Sequence, residues 1–248
     1  LIKLLFSKIK VCYRAHSVEY EIRKKNSNYL ISSLSFLFEK YVYRLSDLST
    51  TVSKVEKKKI KSLYKVNTHI FPNIINHSKI KKNFKIKHKK YILYSGSYKY
   101  LPNKNAIDRL VKSIMPQILK SLPDIKLILT GSNKLPYDFS WIENLGMISK
   151  NKYLNILRNS SCLIVPTKEG CGTRVKIIEA LCEGVIVVSS KIGIEGINDK
   201  KVSPPPFQCK SDASFVKAVI KINNSNEFKK LSNKNKNYFI NKYDAKRN

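Results

Sequence analysis

Residues 161–196 decide the fold class and read SCLIVPTKEGCGTRVKIIEALCEGVIVVSSKIGIEG. They begin with a continuous apolar run, Cys162 to Thr167, which is typical of a strand buried on both faces of a sheet. A helix is predicted from Thr173 to about Glu183, and a second apolar strand from Val185 to Ser190. Strand, helix and strand in this order form a parallel βαβ unit, so the stretch predicts an α/β domain.

The same alternation continues on the N-terminal side of this stretch. Strands are predicted at Tyr91 to Gly96 and at Ile125 to Gly131, with a helix from about Asn103 to Ser121 between them. A doubly wound parallel sheet follows, and such sheets bind ligands at the carboxyl ends of their strands. Glycines at these ends let a backbone approach a ligand closely, and the helix that follows presents free N–H groups, so the turns favour an anion such as phosphate.

The chain before residue 76 predicts a second, smaller parallel sheet. Strands are expected at Ile9 to Ala15, Leu48 to Ser53 and His69 to Asn73, and a basic helix capped by Ser53 separates the last two. A long helical stretch lies between the first two strands. Its apolar residues recur at three- and four-residue steps, at Leu30, Leu34, Leu37, Phe38, Tyr41 and Leu45.

The strong positive charge points to an anionic partner. The 248 residues carry a formal net charge of +31, and only seven of the 48 cationic residues are arginines. The lysines accompany isoleucine and asparagine throughout the chain, and neither a Cys/His finger nor an RNP-like aromatic strand is present, so we predict no nucleic-acid partner. Attraction to an anionic membrane surface stays open, because lysine acts there as a simple point charge.

The five cysteines and four histidines give no metal or disulfide pattern. The cysteines are scattered and never form a CxxC pair, and no histidine stands at ligand spacing from them. We therefore predict a reduced, cytoplasmic protein with no metal site. The chain opens without Met, and its first apolar residues are interrupted by Lys3 and Lys8, which suggests a piece of a longer protein.

The predicted helix after Thr173 carries an unusual charge arrangement. Thr173 can cap it, whereas Arg174 and Lys176 in its first turn oppose the helix dipole unless a negative group lies beside them. Glu179 falls on the edge of the apolar stripe formed by Val175, Ile178, Leu181 and Cys182, and a carboxylate placed there needs hydrogen-bond donors. Ribose hydroxyls could supply them, and an ion pair with Arg174 or Lys176 explains the spacing equally well.

At these residues the chain resembles the nucleotide-sugar-binding domain of GT-B fold glycosyltransferases, the retaining group called family four or group one. The resemblance covers about Tyr91 to Ile197, including GSYKYLPNKNAIDRLVKSIMPQILKSLPDIKLILTG from Gly96 and GMISKNKYLNIL from Gly146. It is weaker in the first part, where CYRAHSVEYE is similar to the family's histidine-containing loop and STTVSKVEKKKI with IFPN is similar to the approach to its interdomain linker.

The resemblance implies roles for particular residues. Glu179 would hold the donor ribose, while Arg174 and Lys176 would neutralise the diphosphate as it leaves. Backbone and hydroxyl groups of Gly172 and Thr173 would contact the phosphates, together with the glycine turns at Gly96 and Gly131. Ile148 would contact the base and His16 would reach towards the acceptor side of the sugar.

One departure from the family motif concerns its first glutamate. The position eight residues before Glu179 is Cys171, with Glu169 two residues away as the alternative carboxylate, so the family's contact to the donor sugar has no direct counterpart. The resemblance further implies transfer with retention and without metal or cofactor, and the absence of a DxD triplet agrees with this. A redox-sensitive Cys171 is a weaker interpretation than a small residue in a tight turn.

Together these observations predict a GT-B type α/β protein with four segments. Residues 1–76 would be the later half of an acceptor-side Rossmann-like domain, 77–90 a basic linker, 91–210 the donor-binding domain and 211–248 a truncated helical segment. The predicted function is transfer of a hexose-type sugar from a nucleoside-diphosphate donor to a glycan or lipid-linked acceptor in cell-envelope polysaccharide synthesis. The predicted place is the cytoplasm, with peripheral association at the inner face of the membrane. A nucleotide-sugar epimerase on the same fold and an inactive or binding-only fragment are the alternatives.

Overall fold

The computed structural model describes residues 8–75, 91–197, 207–224, 236–237 and 239–245. The basic linker predicted at residues 77–90 lies outside the described residues. The chain divides into two compact units. The first contains the residues up to Asn73 together with Gly170–Thr173 and Glu195–Ile197, and the second contains the rest. The predicted four-segment division stays a prediction.

The first unit is built on a parallel sheet of three strands in the order β1-β2-β3. The strands are β1 (Cys12–Ala15), β2 (Leu48–Thr51) and β3 (His69–Ile70), and the helices are α1 (Glu19–Asn26), α2 (Tyr29–Leu45) and α3 (Lys54–Tyr64). The predicted parallel arrangement is confirmed, with shorter strands than expected. The predicted Ser53 cap of α3 is also confirmed, because its side chain accepts a hydrogen bond from the main-chain N–H of Glu56.

The single long helix predicted after β1 is divided into α1 and α2. The break falls before Asn28, whose side chain accepts a hydrogen bond from the main-chain N–H of Ile31 at 2.9 Å and so begins a new helix. The Glu39 carboxylate is buried and accepts hydrogen bonds from the main-chain N–H of Glu19 at 2.9 Å and of Tyr20 at 3.0 Å, both in the first turn of α1. Glu39 of α2 therefore caps the N-terminus of α1.

The second unit contains a six-stranded sheet in the order β6-β5-β4-β7-β8-β9, with every neighbouring pair parallel. The strands are β4 (Tyr91–Ser95), β5 (Lys126–Thr130), β6 (Ile142–Asn144), β7 (Cys162–Val165), β8 (Val187–Ser190) and β9 (Phe207–Cys209). Numbered within the unit, this is the Rossmann order, in which the strand sequence reverses between β4 and β7. The predicted doubly wound sheet is confirmed.

The helices of the second unit are α4 (Leu101–Arg109), α5 (Met115–Ser121), α6 (Lys150–Asn159), α7 (Val175–Cys182) and α8 (Asp212–Asn224). The helix predicted from Asn103 to Ser121 is present as α4 and α5, joined by a π-helical turn at Leu110–Ile114. Pro116 explains the wider turn, because it has no N–H and its ring would collide with the carbonyl four residues earlier in a regular α-helix.

The core of the second unit lies between its sheet and its helices. Fully buried side chains from β4, β5 and β7 pack against α4, the π-helical turn, α5 and α8. Among the described helices, none is both long enough and apolar enough to cross a bilayer.

Candidate functional site

The carboxyl ends of β4, β5 and β6 are joined by main-chain hydrogen bonds through three glycine turns. The N–H of Gly96 donates to the carbonyl of Thr130 at 2.8 Å, and the N–H of Gly131 donates to the carbonyl of Gly146 at 2.8 Å. Gly131 has a φ of +98°, and a Cβ atom there would lie 3.0 Å from the main chain of Gly96. Only glycine suits this position, and the turns present bare backbone at this edge of the sheet.

Lys176 places its ammonium group at the same edge. Its Nζ donates to the main-chain oxygen of Ser95, the last residue of β4, at 2.7 Å and lies 4.4 Å from the ring centroid of Tyr94. Burial, followed by the nearby charge of Arg174, lowers the pKa of Lys176 from 10.5 to about 7. Because β4 borders the reversal in strand order, the amine lies where doubly wound sheets bind their ligands.

Arg174 connects the turns that follow β7 and β8. Its Nη1 donates to the carbonyl of Ile192 at 2.6 Å and its Nη2 to the carbonyl of Glu169 at 3.2 Å. Arg174 and Lys176 are thus both held by main-chain oxygens at the carboxyl edge of the second unit's sheet. Since the unit's glycine turns lie at the same edge, the arrangement favours a polyanionic ligand.

Two predictions about the start of α7 are wrong. The helix begins at Val175, and its N-cap is Arg174 with an extended backbone and no side-chain capping bond, so Thr173 lies one residue too early to cap it. The Thr173 hydroxyl has no hydrogen-bond partner within the part of the chain that the structure describes. Val175 was expected in the core but is 42% exposed, because the helix turns the face that carries Ile177 and Ile178 towards the core instead.

Glu179 forms an ion pair with Lys150, the first residue of α6. The side chain of Glu179 is 14% exposed, as expected at the edge of the apolar stripe, whereas that of Lys150 is 58% exposed. The ion pair predicted as the alternative to ribose therefore exists with a different partner from Arg174 or Lys176. Ile148 is partly buried in the loop just before α6, so Lys150 brings this loop and Glu179 together.

Sequence reasoning missed Lys150 and Asn105. Lys150 is distant from Glu179 in sequence, and no local pattern signals the pair. Asn105 of α4 hydrogen-bonds the carboxylate of Glu169, and both residues line a polar cavity of about 550 Å³. Asp108 and Arg109 line the same cavity, which makes its wall largely charged.

In the first unit, His16 and Gly172 come together through their main chains. Gly172 has a φ of +78°, and a Cβ atom there would lie 2.5 Å from the carbonyl oxygen of His16. The N–H of Gly172 donates to the buried carboxylate of Glu56 at 3.2 Å, which also accepts from the Ser53 hydroxyl. The residues Ser53 and Glu56 thus hold the turn that contains Gly172, while the His16 side chain is exposed.

Cys171 is partly buried in the first unit. Its thiol donates to the carbonyl of Val18 at 3.7 Å, and burial raises the pKa of Cys171 to about 11. A thiol with so high a pKa stays protonated at neutral pH, which disfavours the redox-sensitive interpretation.

The predicted site residues divide between the two units. Arg174, Lys176, Glu179, Ile148, Gly131 and Gly96 belong to the second unit, and His16, Gly172 and Thr173 belong to the first. In the second unit, the structure places the cations, the glycine turns and their hydrogen-bond partners at the carboxyl edge of the sheet. The described residues include no cluster of three or more His, Cys, Asp or Glu side chains arranged to hold a metal ion.

Solved structures of GT-B glycosyltransferases have the same fold. TarM matches with a TM-score of 0.73 and 14% identity over 96% of this chain. Sucrose-phosphate synthase from Thermosynechococcus elongatus matches with a TM-score of 0.71 and 15% identity over 97% of it. Anabaena HepE matches with a TM-score of 0.71 and 10% identity over 98% of this chain and 70% of its own. The chain spans 48% of TarM and 65% of the synthase.

The fold is that of a GT-B type α/β protein, as the sequence resemblance predicted. A family model described as glycosyl transferases group 1 matches residues 89–224, which is more than half of the chain. The chain belongs to this family. No curated protein sequence matches it.

Proposed function

We propose that the protein transfers a hexose-type sugar from a nucleoside-diphosphate donor to a glycan or lipid-linked acceptor, with retention of configuration. The observation that carries the proposal is the placement of Lys176 and Arg174 at the carboxyl edge of the sheet, beside the reversal in strand order. UDP is the first nucleotide to test, because HepE was solved with UDP and glucose, and a structure of S. aureus TarM contains UDP.

The nucleotide would bind along the second unit. Glu179 would accept hydrogen bonds from the ribose hydroxyls in place of its ion pair with Lys150, whose exposed side chain can move aside. The main chain at Ile148 would contact the base. The glycine turns at Gly96 and Gly131 would admit the diphosphate close to the backbone.

Lys176 and Arg174 would stabilise the charge that develops during transfer. As the bond between the sugar and the diphosphate breaks, the sugar becomes oxocarbenium-like and negative charge builds on the leaving oxygens. Fixed cations already in place lower the energy of that state more than that of the bound donor. The acceptor hydroxyl would attack from the face that the diphosphate vacates and pass its proton to the diphosphate, so this scheme needs neither metal nor cofactor.

Residues of the first unit are proposed for the acceptor side and the phosphates. His16 is exposed, and its main chain is held against Gly172. We propose that its imidazole contacts the sugar or acceptor. The Thr173 hydroxyl would donate to the phosphates, since it has no hydrogen-bond partner among the described residues. The backbone at Gly172 would approach the phosphates while its N–H stays bonded to the Glu56 carboxylate.

The proposed setting is cell-envelope polysaccharide synthesis in the cytoplasm, at the inner face of the membrane. The net charge of +31 supports it, because lysine-rich surfaces are attracted to anionic lipids.

Calorimetric titration with UDP, GDP and their sugars tests the donor site. We expect micromolar binding of one nucleotide and a loss of at least about tenfold in Glu179→Gln, because the amide offers one acceptor oxygen and no charge to the ribose. Glu143→Gln is the matched control, since Glu143 is an exposed carboxylate on β6 of the same unit. It should bind like the wild type.

The products distinguish the proposed transferase from an epimerase, and nucleotide binding without release of product would identify a binding-only fragment. Release of nucleotide that depends on an added acceptor supports the transferase. Acceptor-independent release of nucleotide with an altered sugar would identify an epimerase. An absence of binding to every nucleotide, or equal binding by Glu179→Gln and the wild type, would refute the donor site.

A further inference from the structure

Tyr94, near the carboxyl end of β4, contacts both a cation and a side-chain amide. Its hydroxyl donates a hydrogen bond to Oδ1 of Asn103, in the first turn of α4, at 2.9 Å. The Nζ atom of Lys176 lies 4.4 Å from the centroid of the same tyrosine ring. Tyr94 is 1% exposed, and burial raises the pKa of its hydroxyl above the ordinary value, so the hydroxyl stays protonated and acts as the donor.

The hydrogen bond from Tyr94 orients the amide of Asn103. A side-chain amide has one oxygen that accepts hydrogen bonds and one nitrogen that carries two N–H donors. Because the oxygen is bound to a buried hydroxyl, the nitrogen is the end that remains for another group. Within the part of the chain that the structure describes, this nitrogen donates to no acceptor. Asn103 is partly exposed, so its two donors are open to a ligand.

The same amide lies against the glycine turn that follows β4. A Cβ atom on Gly96 would lie 2.8 Å from both Cγ and Nδ2 of Asn103, and 2.9 Å from its Oδ1. The lack of a side chain at Gly96 is therefore what admits the amide to this position. Lys176 donates to the carbonyl of Ser95, the residue just before Gly96. A cation and a neutral donor thus border the same turn of the second unit.

Packing alone does not account for the nitrogen of Asn103. The hydrogen bond from Tyr94 uses only the amide oxygen, and the two N–H donors have no use in the fold of the described residues. They lie beside a turn at the carboxyl edge of the sheet, where doubly wound sheets bind their ligands. N–H donors in such a place suit the oxygens of a phosphate group.

We propose that Asn103 is a further residue that binds the diphosphate of the donor, and that Tyr94 is the positioning residue that orients its amide. The Nδ2 donors contact phosphate oxygens beside Lys176. Tyr94 meanwhile holds the amide oxygen and prevents the amide from turning over, which would present that oxygen to the phosphates and repel them. The inference rests on the proposed function, because it requires a diphosphate at this edge of the sheet.

Titration with UDP and with uridine tests the contact, because only UDP carries the diphosphate. The full chain is titrated in about 0.3 M salt, which screens the exposed lysines, and uridine is measured by competition with UDP. Asn103→Asp keeps an oxygen for the Tyr94 hydroxyl and replaces the N–H donors by a second oxygen. The matched control is Asn155→Asp, since Asn155 is an exposed residue of α6 whose oxygen accepts a hydrogen bond from the Asn159 side chain at 3.3 Å.

We expect Asn103→Asp to weaken UDP binding at least about tenfold, because a donor to a charged group is lost and a negative oxygen takes its place. Uridine binding should change less than about twofold, and Asn155→Asp should change neither ligand by more than that. Asn103→Ala removes the donors without adding charge and should weaken UDP binding by about fivefold or more. An unchanged UDP affinity in both Asn103 variants, or an equal loss for UDP and uridine, would overturn the proposal.

A double-variant cycle tests the positioning role of Tyr94. Tyr94→Phe keeps the ring beside Lys176 and removes only the hydroxyl. It should weaken UDP binding by about threefold or more while uridine binding stays the same, because the amide loses its fixed orientation. In the Asn103→Ala background the same substitution should have no further effect, since Tyr94 acts through the amide. An equal effect of Tyr94→Phe in both backgrounds would refute the positioning role.

Inorganic pyrophosphate separates this inference from the proposed function. If pyrophosphate binds, Asn103→Asp weakens it, Asn155→Asp does not, and no nucleotide binds, then the donor function fails and the anion contact stands. If UDP binds and the Asn103 variants leave its affinity unchanged, the contact fails and the donor function stands. Absence of binding by pyrophosphate and by every nucleotide would overturn both.

Discussion

Nucleotide binding should be coupled to proton uptake by Lys176. In the structure, burial and the neighbouring charge of Arg174 lower the pKa of this amine from 10.5 to about 7. A diphosphate at the carboxyl edge of the sheet would supply the missing negative charge and return the pKa towards its ordinary value. At pH 8 the free site then holds about 0.1 proton on Lys176 and the occupied site nearly one, so binding takes up about 0.9 proton.

Calorimetry in buffers of different ionisation enthalpy measures this uptake directly. At pH 8 the phosphates of the nucleotide are already ionised, because their last pKa is about 6, so they contribute little. Affinity should fall as pH rises, by close to tenfold per unit between about pH 8 and pH 10, since the occupied site binds more protons than the free one.

The matched variants are Lys176→Arg and Lys126→Arg. Arginine stays charged, so Lys176→Arg should bind nucleotide with almost no proton uptake. Lys126 is an exposed residue of β5 in the same sheet, and its variant should keep the full uptake of the wild type. Uptake below about 0.2 proton in the wild type, or the same uptake in Lys176→Arg, would refute the reasoning.

Three further outcomes are expected. Lys150→Met should tighten nucleotide binding in titrations by up to about fivefold, because it frees the Glu179 carboxylate from an exposed ion pair worth about 1 kcal/mol or less; weaker binding would mean that Lys150 contacts the ligand itself. Gly172→Ala should cost at least about 2 kcal/mol in urea unfolding, since its Cβ atom meets a main-chain oxygen at 2.5 Å and its φ is positive; an unchanged midpoint would contradict this. Arg158→Met should cost about 3–5 kcal/mol by the same measurement, because it leaves the Glu183 carboxylate buried without its cation, and the double variant with Glu183→Leu should recover most of the loss.

The sheet of the second unit could be predicted from the sequence because its signals are local. The apolar runs at β4, β5, β7 and β8 are long enough to be buried on both faces, and each ends near glycine. The short strand β6 carries no such signal, since Ile142–Asn144 has too few apolar residues to be recognised as a strand. It joins the sheet through main-chain pairing with β5, which composition does not encode.

Periodicity predicted the α2 helix but says nothing of which side the unit covers. The recurrence of leucine and phenylalanine would ordinarily indicate the buried face. Leu30, Leu34 and Leu37 are instead exposed. The side that packs against the unit carries Phe36, Tyr43 and Glu39, whose carboxylate accepts three hydrogen bonds from α1 and α3. The partners of Glu39 are between 19 and 25 positions away from it in the sequence, so these contacts could not be predicted before the helices were placed side by side.

The candidate site could be predicted in its residue types but not in its pairings. Cations near the N-terminus of a helix oppose its dipole, and this made Arg174 and Lys176 candidates for an anion site. The structure shows the partial compensation that no spacing could reveal, namely the carbonyl oxygens of Ser95, Ile192 and Glu169, which lie at or after the carboxyl ends of three different strands. Lys150, the partner of Glu179, could not be predicted from the sequence either, because no local spacing relates the two residues.

The compensation by carbonyl oxygens is incomplete, and this has a functional consequence. Carbonyl dipoles hold the Arg174 guanidinium at the start of α7, yet the pKa of Lys176 still falls to about 7, so its proton is poorly stabilised without a further negative group. Protein interiors retain so unfavourable an arrangement where a ligand supplies the missing charge. A diphosphate that gains negative charge as its sugar departs would be held most strongly at that moment. Donor binding would supply part of the missing charge, and the charge that builds on the diphosphate during transfer would add the stabilisation that is specific to the transition state.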